Sequence, residues 1–173
     1  MCACRGTAGF AHVSCLAEQA KILVAEAEEN NLDDGPFNER WARWHTCSLC
    51  EQEYHGVVMG AYGWACWKTY LGRPETDQAR QLAMDLLGMG LDEADKVSEA
   101  LEVSRVYLAT IERVRPNDMK ALLNCKQNVA FACSRLGQVE EALSTRREVH
   151  SIAKAALGPL PVSYTHLTLP TKA

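Results

Sequence analysis

Apolar residues recur at helical spacing along most of this chain. Leu16, Ala20, Leu23 and Ala27 line one face of LAEQAKILVAEAEEN, which predicts a helix from Leu16 to about Asn30. Its acidic end, with Glu26, Glu28 and Glu29, opposes the helix macrodipole and is expected to fray. Ahead of it, residues 1–15 are rich in Cys and Gly and read as irregular loop. Asn30 to Pro36 is a turn signal. Residues 37–46 carry Trp41 and Trp44, and an aromatic-rich segment from Tyr54 to Tyr70 carries Trp64 and Trp67. Gly72, Arg73 and Pro74 mark a boundary.

From Thr76 onward the pattern predicts two helix-turn-helix units. The first pairs Asp77–Gly90 with Lys96–Val114, the second Met119–Leu136 with Val139–Leu157, and Arg115-Pro116-Asn117-Asp118 separates them. The units align with each other. Ser98-Glu99-Ala100-Leu101 matches Glu140-Glu141-Ala142-Leu143, Gly88 falls on Ala130 and Leu91 on Cys133. Small side chains let two helices cross closely, so Gly88 and Ala130 are expected to meet Ala100 and Ala142. Gly137 sits at the second internal turn, where a positive φ is cheap, and Asp95 takes that place in the first.

Asn128-Val129-Ala130, Leu136-Gly137 and Glu140-Glu141-Ala142-Leu143 resemble the tetratricopeptide repeat, in the longer form found in kinesin light chains. The resemblance covers residues 77–158 and implies a concave groove that binds a peptide or protein partner. A plain helical bundle is the alternative, and two repeats are fewer than such arrays usually need.

Composition narrows the class. Apolar residues make up 47% and charged residues 23%, with a net charge of -4 and a pI near 5.7. No basic stripe points to nucleic acid. Apolar runs stop short of the ~20 residues of a membrane span, and no signal-peptide pattern opens the chain. The expectation is an intracellular, cytoplasmic protein with neither nucleic acid nor membrane as partner.

Eight cysteines then need a use, and six of them precede residue 67. In a reducing compartment such residues more often bind metal than form disulfides. Cys2 and Cys4 form a C-x-C pair, His12 and Cys15 an H-x-x-C pair, and Cys47 and Cys50 a C-x-x-C pair. Two ligands from one tight loop reach a tetrahedral Zn2+ at little entropic cost, and the ion replaces a core that so short a segment cannot build. Cys66 reads as a core residue and His45 and His55 as ordinary histidines, with each of the three a substitute ligand as the alternative; Cys125 and Cys133 read as buried thiols.

The order C-x-C, H-x-x-C, C-x-x-C resembles the last six ligands of the RING-variant (RING-CH) finger. Cys4-Arg5-Gly6-Thr7, His12-Val13-Ser14-Cys15-Leu16 and Thr46-Cys47-Ser48-Leu49-Cys50 followed by Tyr54 carry the resemblance. The plant homeodomain finger is the rival. It usually has C-x-x-C where this chain has Cys2-Ala3-Cys4, and a tryptophan where this chain has His45. The RING-variant fold interleaves two zinc sites. Carried over, it implies one complete site from Cys2, Cys4, Cys47 and Cys50, and half of a second from His12 and Cys15. The missing pair is expected upstream of Met1.

The resemblance implies that a longer parent is a ubiquitin ligase, holding a ubiquitin-conjugating enzyme without covalent chemistry of its own. That enzyme is usually gripped by the loop inside the first ligand pair and by a groove between the helix after the third pair and the last knuckle. The first surface is absent here, and Gln19 stands near the family's usual tryptophan, so this chain alone is expected to be inactive. Leu49 remains available, and Trp41 and Trp44 either supply apolar contact surface or pack in the core. The alternative is a non-catalytic adaptor with a purely structural zinc site. No phosphate loop, H-E-x-x-H or serine elbow offers other chemistry.

The tail PVSYTHLTLPTKA breaks the helical pattern. Val162 to Thr171 resemble, residue for residue, the translation of a transposase-end sequencing adapter, so residues 161–173 are expected to be an artefact without function. The expected architecture is mainly α. A small irregular zinc module with an aromatic extension fills 1–72, and a tetratricopeptide-like repeat array fills 73–160.

Overall fold

A computed structural model describes residues 12–157. Cys2, Cys4 and the 161–173 tail lie outside the described residues. The architecture is mainly helical. Among the described residues the α-helices are α1 (Val13–Glu29), α2 (Asp34–Trp41), α3 (Gly56–Tyr70), α4 (Gln78–Glu93), α5 (Val97–Val114), α6 (Met119–Arg135) and α7 (Val139–Leu157). A 3-10 turn, Ala42–Trp44, follows α2 directly. None of these helices is long and apolar enough to cross a membrane. The chain divides into two compact units, Met1–Ala100 and Leu101–Ala173.

In the first unit α1 starts earlier than the sequence pattern indicates. Val13, Ser14 and Cys15 are helical, and His12 is the cap residue whose carbonyl accepts from the Cys15 and Leu16 amides. The acidic end of α1 is tied down. The Glu28 carboxylate receives both arms of the Arg73 guanidinium at 2.5 and 2.9 Å, and Glu26 receives Arg40 at 3.1 Å. These cations arrive from α2 and from the α3–α4 connection, so a reading of the α1 segment by itself does not see them.

The core of this unit is aromatic. Trp44, Tyr62 and Cys66 are fully buried together with Ala20 and Val24 of α1. Tyr54 stacks on Tyr62 with ring centroids 4.6 Å apart, and Trp41 and Trp44 both face Tyr70, at 5.6 and 6.0 Å. Each such pair contributes about 0.5–1.5 kcal/mol beyond its burial. Trp41 and Trp44 are thus core residues.

α3 and α4 form an antiparallel hairpin at very close range. A β-carbon on Gly63 would lie 3.0 Å from the Leu86 carbonyl oxygen, and one on Gly60 would lie 2.9 Å from the Ala94 β-carbon. Glycine is required where backbones come this near. Asp77 caps α4, its carboxylate accepting from the Arg80 amide at 2.9 Å, and the buried Gln81 donates to the Glu75 carbonyl at 2.8 Å.

In the second unit Asp118 caps α6 in the same way, accepting from the Ala121 amide at 2.9 Å. Cys125, Val129, Ala130, Ala132 and Cys133 bury one side of α6, and Ala142 and Ala153 bury one side of α7. Lys126, its side chain only 14% exposed, reaches Glu148 at 3.0 Å and Glu112 at 3.9 Å. Arg105 pairs with Glu141 at 2.7 Å.

The turns that follow α4 and α6 share their closing backbone bonds. The Lys96 amide donates to the Leu91 carbonyl at 2.9 Å, and the Gln138 amide to the Cys133 carbonyl at 2.9 Å. Asp95 (φ 62°) and Gly137 (φ 74°) both take the left-handed conformation, so Asp95 does the work of the turn glycine. Gly88, Ala100, Ala130 and Ala142, aligned from the sequence, are all buried.

Candidate metal centre

The Cys47–Cys50 pair sits in a tight hairpin between the 3-10 turn and α3. Thr46 and Glu53 form an antiparallel bridge. The Cys47 amide donates to the Gln52 carbonyl at 2.9 Å, and the Tyr54 amide to the His45 carbonyl at 2.8 Å. The turn closes through the Glu51 amide, which donates to the Cys47 carbonyl at 3.0 Å. Glu51 itself has φ 56°, the left-handed conformation that reverses the chain just after the second cysteine.

Inside this turn the Leu49 amide donates to the Cys47 sulfur at 3.5 Å. The sulfur is thereby fixed in position within the turn. Arg43 donates to the Cys47 carbonyl at 3.3 Å, which places a cation beside the turn. Cys47 is buried and Cys50 is half-buried. Two cysteines on one tight turn are the residue types from which half of a tetrahedral zinc site is built.

His12 and Cys15 lie one turn apart at the start of α1, both exposed. Among the described residues no three His, Cys, Asp or Glu side chains come together as a metal site, so the described part of the chain offers these two pairs separately. Cys2 and Cys4, the expected partners of the knuckle, are not among those residues.

The other cysteines and histidines sit in different surroundings, and Cys66 falls away as a ligand. Cys66 is fully buried in the aromatic core, and burial pushes its thiol far above the ordinary range, so it stays protonated. His45 is half-buried, and burial lowers its pKa against the opposing charge of Glu53. His55 is exposed and lies 3.4 Å from Glu93. Cys125 and Cys133 are buried in the second unit.

Two surface features border the two pairs. Leu49, at the tip of the knuckle, is 74% exposed. A shallow groove of 490 Å³ runs along α1, lined by Ser14, Cys15, Glu18, Gln19, Ile22 and Leu23.

The pattern of letters did not reveal the glycine contact between α3 and α4. The signal for it was present. Gly60-x-x-Gly63 and Gly88-x-Gly90 interrupt two apolar helical stretches, where glycine is costly unless a close approach needs it. Compared with protein families, curated proteins and solved structures, the chain matches none of them.

Proposed function

We propose that this is a zinc-binding protein of RING-variant lineage whose helical repeats bind a protein or peptide partner. The observation that carries the metal reading is the Leu49 amide donating to the Cys47 sulfur inside a hairpin turn closed by left-handed Glu51. Cys47 and Cys50 would hold Zn2+ together with Cys2 and Cys4, and His12 and Cys15 would hold half of a second site. Zinc in such a site supplies structure, not reaction chemistry: it ties the start of the module to its end.

The repeat reading is supported by the matching turns after α4 and α6 and by the shared left-handed residues Asp95 and Gly137. On the resemblance to tetratricopeptide repeats, residues 77–158 bind a protein partner.

The resemblance extends to ubiquitin ligation, with exposed Leu49 and the groove along α1 as the contact for a ubiquitin-conjugating enzyme. A second reading, a non-catalytic adaptor, is favoured by the burial of Trp41 and Trp44. Both are committed to the core and cannot replace the contact surface that this chain lacks.

Zinc stoichiometry on the purified chain tests the metal reading. One tightly held ion per chain is expected, and none would remove it. Discharge of a charged ubiquitin-conjugating enzyme by the protein decides between ligase and adaptor.

A further inference from the structure

α3 and α5 share a register that the alignment of two units does not include. Met59 and Gly60 of α3 correspond to Ala100 and Leu101 of α5, and all four are buried. Cys66 corresponds to Tyr107 and Tyr70 to Ile111, again all buried. Side-chain bonds repeat too. The Thr69 hydroxyl donates to the Ala65 carbonyl at 2.9 Å, and the Thr110 hydroxyl to the Val106 carbonyl at 2.9 Å.

The connections that follow agree as well. The Asp77 amide donates to the Pro74 carbonyl and the Asp118 amide to the Arg115 carbonyl, each at 3.0 Å. Asp77 and Asp118 then cap the next helix with the same bond. Such agreement at burial, side-chain bond, turn and cap means that α3 occupies the place of a second helix in a helix-turn-helix unit.

That unit has no ordinary first helix immediately before α3. In its place stand the 3-10 turn and the Cys47–Cys50 hairpin, with α1 packed on the same side. Trp44 and Tyr54 deliver their rings onto Tyr70 and Tyr62 of α3. A stacked helical unit cannot leave its last inner face bare, and terminal units are capped.

We propose that α3 is the second helix of a further, degenerate repeat, and that α1, the 3-10 turn and the Cys47–Cys50 hairpin replace its first helix as the cap of the α3–α4 hairpin. A metal at the knuckle then sets the stability of α3 and not only that of its own loop. This second part rests on the metal reading above; the first part does not.

Hydrogen exchange on the full chain tests both parts. In Tyr54→Ala the stack on Tyr62 is lost, and amides of residues 57–70 are expected to exchange about three- to tenfold faster. Amides of residues 119–135 should keep their wild-type rates. Tyr54→Phe, which retains the stack, should behave as wild type. Faster exchange at 45–54 with unchanged protection at 57–70 would overturn the cap, because α4 alone would then be holding α3.

Chelation of the wild-type chain supplies the metal arm, and it does not depend on a variant folding. Zinc release accompanied by faster exchange at 57–70 supports the coupling. Zinc release with no change there refutes the coupling and leaves the Tyr54 result standing. A chain that carries no zinc overturns the coupling and the metal reading together, without touching the cap.

Discussion

A β-carbon placed on Gly90 would lie 2.7 Å from the carbonyl oxygen of Met59, on the neighbouring helix. The obstacle is backbone, which cannot swing aside as a long side chain does. α3 and α4 therefore touch main chain to main chain at this level, and the aromatic core around Tyr62 and Tyr70 is built on that spacing. Gly90→Ala is expected to lower the free energy of unfolding by about 2–3 kcal/mol. Gly72, in the α3–α4 connection, has nothing within 4 Å of its missing side chain and no positive φ, and Gly72→Ala should stabilise by about 0.4–1 kcal/mol. Urea unfolding of the two variants checks the contrast.

Asp95 carries a left-handed backbone that its counterpart Gly137 adopts without steric cost. Asp95→Gly should raise stability by a few tenths to about 1 kcal/mol, and Gly137→Ala should lower it by about 1 kcal/mol. Thermal melts of both variants measure the pair. A melting temperature lowered by Asp95→Gly would show that the aspartate side chain contributes more than the strain it carries.

The Asp118 carboxylate accepts from the Ala121 amide, and this bond, with Arg115 beside it, holds its pKa below the usual carboxylate range. A depressed folded-state pKa contributes stability that is fully present above the unfolded value, about 3.9, and is lost as pH falls through the folded one. Asp118→Ala should therefore cost about 1 kcal/mol at pH 7 and progressively less below about pH 4. Asp118→Asn, which keeps a cap acceptor, should cost less at neutral pH and flatten the dependence. Denaturation curves across this range follow the effect.

Two cysteines of the first unit should behave oppositely. Cys47→Ser is expected to release zinc from the purified chain. Cys66→Ala should leave the zinc content unchanged and lower stability by about 1 kcal/mol, through loss of a packed sulfur in the aromatic core. Elemental analysis beside a thermal melt separates the two. Zinc lost from the Cys66 variant alone would mean that the ligand assignment is wrong.

The helices after Thr76 were legible because each carries its own instructions. Asp77 and Asp118 cap, Gly137 turns, and small residues recur at matching places, all within a few residues along the chain. The knuckle was legible as two cysteines, but its sulfur acceptor and left-handed Glu51 were not, since nothing in the letters CSLCE demands them. The end of α1 was misread for a related reason. Glu28 looks destabilising beside its neighbours, and its partner Arg73 lies 45 residues away.

The sequence by itself determined a chain of amphipathic helices and the turns between them, because periodicity, capping and turn chemistry act locally. Only the tertiary structure decided that Trp41 and Trp44 are core residues, that α3 lies backbone to backbone with α4, and that Tyr54 of the knuckle hairpin stacks on α3. Those outcomes depend on which surfaces meet across dozens of residues. Short-range patterns in the letters can flag a close approach, as the glycines of α3 and α4 do, but they do not name the partner that meets it.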